Sequence, residues 1–395
     1  MKLTSQFILY LLFVIVASAQ VSKKQMKKII DEDMLFAAAQ YKVLMQQTPA
    51  NLMPRSFNAT KKELVTSNTK WWCSGFYPGT LWLIYAGTKD SAIKTEAEKR
   101  LALLEVEKNF APNHDVGFKM FSSFGTAYDI TKNPAYKDVV FTSAKTLTTR
   151  YRPSIQSIQS WDSNKNYRCP VIIDNMMNLE LLEWVAKEGG DKNFDQIAVN
   201  HANTTLKNHY RPDNSSYHVV DYDLASGTVS KKATHQGYAD ESAWSRGQAW
   251  GLYGFTVMYR FTKDTAYLSL ARRIATFMLN HPNMPADKIP YWDYNAPDIP
   301  AARRDASAAA VMASALLELA QYTNAAEKKT YINAASKVIQ VLSSPAYRAP
   351  LGTNGGFLLE HCVGHLPANS EVDVPLTYAD YYFIEALTRY RKWYL

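Results

Sequence analysis

The sequence predicts an all-α protein, an (α/α)6 barrel built from six helical hairpins. Apolar residues recur at helical spacing over most of the chain, and the helices pair across short turns of one recurring type. Long loops separate one hairpin from the next, which an open solenoid would rarely tolerate at nearly every repeat. A closed barrel gathers these loops at one end, where they form the walls of a pocket.

Twelve segments show apolar residues at positions i, i+3, i+4 and i+7, and each predicts a helix. They cover residues 24–45, 79–88, 91–110, 117–131, 134–151, 175–188, 192–209, 245–262, 265–280, 306–322, 327–342 and 378–394. The short turns carry Asp or Asn where the next helix begins, as at Asp90, Asn133 and Asp264. Such residues cap helix starts, and a glycine such as Gly87 is expected to end the helix before the turn.

The predicted loops cover residues 46–78, 152–174, 210–244, 281–305 and 343–377, and they are rich in aromatic residues. The chain holds 25 Tyr and 9 Trp. Aromatic side chains in these loops would either pack the loops onto the barrel or line the pocket. Aromatic walls suit sugar rings, whose C–H faces are apolar.

The first residues predict export. Lys2 precedes an apolar run over 7–16, and Ala17, Ser18 and Ala19 follow it. A charged start, a short hydrophobic stretch and small residues at a cleavage site are typical of a signal peptide, and this run is too short to span a membrane. We therefore expect residues 1–19 to be removed and 20–395 to form one catalytic domain in the periplasm or outside the cell.

Charge and cysteine content exclude several classes of protein. The 44 Lys and Arg against 36 Asp and Glu leave a net charge of +8. This excess is spread along the chain, so no nucleic-acid partner is predicted. The three cysteines, Cys73, Cys169 and Cys362, are far apart and form no disulfide framework or zinc motif. The absence of paired histidine motifs, Gly-rich phosphate loops and G-x-S-x-G also argues against metal, cofactor and serine chemistry.

Two carboxylates stand out by position. Asp115 and Asp174 each lie just ahead of a predicted helix, and a fully apolar run precedes Asp174. Both could be ordinary N-caps. Alternatively, they converge at the barrel mouth, where burial and mutual repulsion would leave one carboxyl protonated and the other ionised.

A third cluster follows in residues 234–250. Arg246 lies at a helix start between Trp244 and Trp250, where a positive charge opposes the helix dipole. An arginine framed by aromatic residues suits a carboxylate ligand. His218 lies in the same long loop.

The motifs around these residues resemble the unsaturated glucuronyl hydrolases, glycoside hydrolase family 88. The strings are HDVGF at 114–118, IIDNMMN at 172–178, HQGY at 235–238 and SAWSRGQAW at 242–250, with WCSGFYPG at 72–79 and YADYY at 378–382. They occur in order from about residue 70 to the C-terminus. Cys73 stands where a small polar residue is expected.

The resemblance implies an (α/α)6 barrel that needs no cofactor. Its substrates would be oligosaccharides from polysaccharide lyases, with a C4=C5 double bond in the terminal uronic acid, glycosaminoglycan fragments being favoured. It implies Asp174 as the acid that protonates C4 before water adds at C5, with Asp115 as its partner. The remaining residues implied to bind substrate are His218, Gln236, Arg246, Trp244, Trp250, Trp72, His114 and His235.

Two alternatives stay open at this point. One is a related unsaturated rhamnogalacturonyl hydrolase acting on pectin fragments, although the RGQAW string fits family 88 better. The other is a sugar-binding barrel without activity, in which both Asp residues are only helix caps.

Overall fold

The computed structural model describes residues 21–395, and its main body is a set of paired helices. The predicted signal peptide, 1–19, lies outside the described residues. The helices are α1 (Lys23–Gln47), α2 (Phe76–Thr88), α3 (Ser91–Leu104), α4 (Val116–Met120), α5 (Thr126–Thr131), α6 (Pro134–Thr148), α7 (Leu179–Lys187), α8 (Asn193–Asn208), α9 (Ser245–Thr262), α10 (Thr265–Asn280), α11 (Ala306–Leu319), α12 (Ala325–Leu342) and α13 (Thr377–Tyr394). A π-helical turn, Phe121–Gly125, joins α4 to α5, so the predicted helix 117–131 is one irregular rod.

Six helical rods form a closed inner ring. Around it, α2 contacts α5, α4 contacts α7, α7 contacts α9, α9 contacts α11, α11 contacts α13, and α13 returns to α2. The outer helices α3, α6, α8, α10, α12 and α1 each pack on an inner helix. This arrangement confirms the predicted (α/α)6 barrel.

The short turns lie at the end of the barrel opposite the long loops. Asp90, Asn133 and Asp264 accept hydrogen bonds from backbone N–H groups at the starts of α3, α6 and α10, as predicted. The predicted end of α2 at Thr88 is confirmed, but the left-handed residue that caps it is Lys89 rather than Gly87. In a left-handed cap, the N–H just past the helix bonds a carbonyl in its last turn, and Lys89 N–H does so with Tyr85.

The long loops contain small antiparallel sheets that the helical periodicity did not predict. The strands are β1 (Met53–Asn58), β2 (Glu63–Ser67), β3 (Tyr151–Arg152), β4 (Ser157–Ile158), β5 (Pro170–Ile172), β6 (Val219–Asp223), β7 (Thr228–Ala233), β8 (Cys362–His365) and β9 (Ser370–Val374). In the order β5-β6-β7, Ile172 pairs with Val219 and Val219 with Ala233. The apolar run before Asp174 is therefore a short buried strand leading into the pocket.

The interior of the barrel is apolar and continuous. Inner helix α11 is buried on every side, since it lies between α9, α12 and α13. The three cysteines are free and buried. Within residues 21–395, no helix is both long and apolar enough to cross a membrane.

Candidate active site

The two candidate carboxyls lie together where inner helices begin at the long-loop end. Asp115 immediately precedes α4 and is 8% exposed, while Asp174 lies in a 3-10 turn before α7 and is 9% exposed. Asp115 has the N-cap position, but its side chain makes no capping hydrogen bond. Asp174 lies inside its turn rather than at its cap. The alternative that both serve only as helix caps is therefore wrong.

A buried amide joins the two segments that carry these carboxyls. Asn178 accepts a hydrogen bond from the backbone N–H of Phe118 at 3.0 Å. Gly117 lies against it so closely that a Cβ there would be 2.6 Å from the Cα of Asn178. Only glycine permits this approach. The close packing of α4 on the Asp174 turn sets the spacing of the pair.

His218 faces the Asp174 carboxyl. The backbone N–H of Ile173 donates to the carbonyl of His218 at 3.0 Å, which aligns the two segments. His218 Nε2 lies 3.5 Å from Asp174 Oδ2. Its Nδ1 accepts hydrogen bonds from the backbone N–H groups of His235 and Gln236, both at 3.1 Å. Because Nδ1 is an acceptor, the neutral ring carries its proton on Nε2, pointing at Asp174.

Burial sets the protonation of this group. The pKa of Asp174 is raised to about 7, mainly by burial, with Arg246 lowering it and the negative charge of Asp115 raising it. Burial also raises the pKa of Asp115 to about 7, opposed by Lys119 and Arg150. A carboxyl at this position holds a proton near neutral pH, as a general acid must.

The two histidines nearest the carboxyls are neutral. Burial lowers the pKa of His218 well below its usual range, and the charges of His235 and Arg246 act in the same direction. Burial lowers the pKa of His114 to about 3. His114 Nε2 lies 3.3 Å from Asp115 Oδ1, and its backbone N–H donates to Ser160. His114 is 2% exposed, so it is buried beside Asp115.

Arg246 is buried among aromatic and polar partners. Its guanidinium lies 4.5 Å from the Trp244 ring and 5.3 Å from the Tyr378 ring. It pairs with Asp305 at 3.2 Å and donates to the carbonyls of Val363 and, at 2.7 Å, Gly364. Arg246 therefore anchors the β8–β9 hairpin to the pocket as well as placing positive charge near Asp174.

The three predicted tryptophans, Trp72, Trp250 and Trp244, pack against other rings of the site. Trp72 packs on Phe118 at 5.5 Å and Tyr378 at 4.9 Å, Trp250 packs on Phe118 at 5.2 Å, and Trp244 lies 4.5 Å from the His218 ring. Several buried polar atoms here lack a hydrogen-bond partner among residues 21–395. They are Asp174 Oδ2, His218 Nε2, Trp250 Nε1 and Tyr378 Oη. Unsatisfied buried groups that converge in this way indicate a place for a polar ligand.

The remaining predicted residues lie toward the rim. Gln236 donates to the carbonyl of Gly364 at 3.0 Å, so its amide also holds the β8–β9 hairpin. His235 is exposed, and its ring lies 4.7 Å from His365 and 5.8 Å from Trp161. Both residues belong to the long loop, 210–244, that also carries His218.

Sequence reasoning missed several residues that hold the site together. Asn178 lies within the quoted motif, but its role depends on contact with a distant helix. Asp305 accepts from Arg246 and from the backbone of Val363, and only the loop before α11 brings it there. Among residues 21–395, no group of three or more His, Cys, Asp or Glu side chains is placed to hold a metal ion.

Comparisons with known proteins agree on one family. The sequence profile described as Glycosyl Hydrolase Family 88 matches residues 45–393. A protein of Formosa agariphila named unsaturated glucuronyl hydrolase is 49% identical over 342 residues, which are 86% of this chain and 85% of that protein. The structure of an unsaturated glucuronyl hydrolase specific for heparin superposes with a TM-score of 0.89 at 42% identity, covering 93% of this chain and 98% of that one.

A further solved structure contains a ligand. It is a variant unsaturated glucuronyl hydrolase from Streptococcus agalactiae complexed with dGlcA-GalNAc6S. It is 28% identical to this chain, with a TM-score of 0.81, and covers 96% of this chain and 95% of that one.

Proposed function

This chain belongs to Glycosyl Hydrolase Family 88 and is a glycosidase, and from that premise we propose which substrate it cleaves and how. The substrate is an oligosaccharide whose terminal uronic acid carries a C4=C5 double bond. The observation that carries the proposal is the buried pair Asp115 and Asp174, in which the pKa of each carboxyl is raised to about 7.

The reaction begins with proton transfer from Asp174 to C4. The C4=C5 bond is conjugated with the ring oxygen, so C4 is electron-rich and the resulting positive charge rests on C5 and that oxygen. In the reactive form the pair holds one proton, on Asp174; the ionised Asp115 then stabilises this charge and, before the transfer, raises the pKa of Asp174. The neutral His218 holds its Nε2–H toward Asp174 Oδ2 and orients the carboxyl.

Water then adds to C5 and gives its proton to the carboxylate of Asp174, which restores the acid. The hemiketal formed at C5 opens, and the hemiacetal at C1 breaks down to release the neighbouring sugar. No attack on the anomeric carbon is needed, unlike in ordinary glycosidases.

The helix termini around the site support an anionic substrate. Arg246 lies near Asp174, although Asp305 balances its charge, and inner helices α4, α9, α11 and α13 direct their N-termini at the pocket. Helix N-termini carry partial positive charge, which favours a carboxylate. We assign the uronate to Arg246, Gln236 and His218, and the sugar faces to Trp72, Trp244 and Trp250.

Glycosaminoglycan fragments are the substrates we favour. The support is the heparin specificity of one structural relative and the dGlcA-GalNAc6S bound to another. The apolar segment before Ala17 supports export to the periplasm, where such fragments would be met.

The test is the ultraviolet absorbance of unsaturated disaccharides from chondroitin, hyaluronan and heparin, with and without sulfate, and of unsaturated disaccharides from pectin. We expect the double-bond signal to disappear with the enzyme and to persist with Asp174→Asn. Activity restricted to pectin-derived disaccharides would contradict the glycosaminoglycan assignment, and turnover by Asp174→Asn would contradict the mechanism. Export is tested separately by the N-terminal residue of the protein from its host, expected near Gln20.

A further inference from the structure

A cavity opens at the short-turn end of the barrel and extends inward to Gly117 and Met177, near the catalytic pair. It has a volume of about 600 Å³ and is lined by the last turns of inner helices, including Ala86, Trp184, Arg260 and Thr388. This volume is in the range of small-molecule sites. Nothing in the reaction proposed above uses it.

Negative charge is in excess around this cavity. Arg260 pairs with Glu180 at 2.6 Å and with Glu318 at 2.7 Å, and Arg389 lies 3.1 Å from Glu318 and 3.5 Å from Glu385. Among the lining side chains, four carboxylates, those of Asp129, Glu180, Glu188 and Glu385, face three cations, Lys132, Arg260 and Lys392. Burial raises the pKa of Glu385, while Arg389 and the hydrogen bonds donated by Ser314 and Tyr253 act in the opposite direction.

The direction of the helices adds to this charge. The inner helices α2, α5, α7, α9 and α13 all end at this cavity. Helix C-termini carry partial negative charge within their last turn. Backbone and side chains therefore both favour a positively charged ligand.

Tyr382 supplies a hydroxyl without a partner. The residue is 3% exposed and lines the cavity, and its ring packs edge-on against Trp250 at 5.4 Å and Tyr253 at 5.7 Å. In the described part of the chain its hydroxyl makes no hydrogen bond, and burial, followed by the charges of Glu385 and Glu180, raises its pKa well above the usual range. The side chain lines the cavity, so a donor bound there can hydrogen-bond this hydroxyl.

Aromatic side chains complete the wall. The ring of Trp184 lies 5.8 Å from that of Phe121 and 5.5 Å from that of Tyr128. Phe121 begins the π-helical turn Phe121–Gly125, an irregularity that often marks functional sites. Carboxylates beside aromatic rings are a common setting for organic cations.

We propose that this cavity is a second binding site, for a small organic cation whose protonated amine is held by Glu180, Glu385 and Tyr382. The ligand is about the size of a monosaccharide and lies against Trp184. It adjoins the catalytic site at Phe118, which lines this cavity and also contacts Trp72 and Trp250.

The test uses glucosamine as the probe and isothermal titration calorimetry on the full chain. Glucosamine carries a protonated amine, whereas glucose and N-acetylglucosamine are neutral controls of similar shape. We expect glucosamine to bind about tenfold more tightly than either control, because hydrogen bonds to charged groups exceed those to neutral ones. Equal affinity for glucose, or no heat with glucosamine, would overturn the proposal.

Three variants locate the binding. Tyr382→Phe removes the unpartnered hydroxyl and should weaken glucosamine by about tenfold. Thr388→Phe fills the cavity from α13 and should abolish binding, with its melting temperature as the check on folding. Asp174→Asn controls for the catalytic pocket and should bind as the parent does. Binding lost in Asp174→Asn but kept in Thr388→Phe would place the amine in the catalytic pocket and refute the proposal.

Discussion

Replacing Asp174 by Asn should abolish turnover and, at alkaline pH, make the protein more stable. The carboxyl is 9% exposed, its Oδ2 has no hydrogen-bond partner within residues 21–395, and burial raises its pKa to about 7. The ionised form of Asp174 therefore destabilises the folded protein. An isosteric amide would keep the packing and remove the charge.

The magnitude follows from the pKa difference between the folded and unfolded states. The pKa is about 7 in the folded protein, against ~3.9 for an unfolded chain. Between these values the folded state binds more protons, so the stability contributed by this group is lost as pH rises through the folded pKa. Three units at ~1.36 kcal/mol each give about 4 kcal/mol at pH 8, and almost nothing near pH 4.

The assay is thermal unfolding of both proteins at pH 4 and at pH 8. For 395 residues, an unfolding entropy of ~2.1 cal/mol/K per residue gives ~0.8 kcal/mol/K, so the variant should melt about 5 °C higher at pH 8. At pH 4 the two should melt together. Turnover should be lost at both pH values.

Asp221→Asn is the matched control. Asp221 is also buried, at 3%, but its carboxylate accepts hydrogen bonds from the backbone N–H groups of Arg168 and Cys169 at 2.9 Å. Losing a satisfied carboxylate should lower the melting temperature at pH 8. If Asp174→Asn also lowers the melting temperature at pH 8, the ionised Asp174 carboxylate does not destabilise the folded protein. The reasoning from its raised pKa is then refuted.

Three further predictions concern the neighbours of this carboxyl. Asp115→Asn removes the charge that raises the pKa of Asp174, so the alkaline limb of the kcat/KM profile should move to lower pH; an unmoved limb would mean that the carboxyls are not coupled. His218→Ala should lower kcat/KM by about a hundredfold, as for other groups that orient a catalytic acid, while His218→Gln, which keeps an N–H, should retain more activity in the same absorbance assay. Asn178→Ala leaves the Phe118 N–H unsatisfied and should lower the free energy of unfolding in urea by about 1–3 kcal/mol; a loss below about 0.5 kcal/mol would show that water replaces the amide.

Much of the architecture was predictable because helical periodicity is a local property of the chain. The twelve predicted segments correspond to twelve rods, and Asp90, Asn133 and Asp264 cap helices as expected. The helix predicted at 175–188 instead begins at Leu179, since a 3-10 turn holds Asp174 against α9. The start of this helix depends on contact with α9, and the local sequence pattern carries no signal of that contact.

The site was predictable in part. Motifs identified both carboxyls, and the structure places His218 beside Asp174 and Arg246 near it. The support given by Asn178 was not predictable, because its partner Phe118 lies 60 residues earlier. The dual attachment of Arg246 to Asp305 and to the β8–β9 hairpin likewise depends on long-range packing.

The pairing of β5 with β6 has a consequence for how this enzyme tolerates change. Asp174 and His218 adjoin these strands, and the whole hairpin of α7 and α8 is inserted between them. The pairing of β5 with β6 fixes the position of Asp174 relative to His218, and the α7–α8 hairpin between them in the sequence does not. The turn at Gly189 and Gly190 lies at the other end of that hairpin, and a Cβ at Gly189 would meet no atom within 4 Å. The chain can therefore be lengthened, or even given new termini, at Gly189 while the acid and its imidazole stay in register.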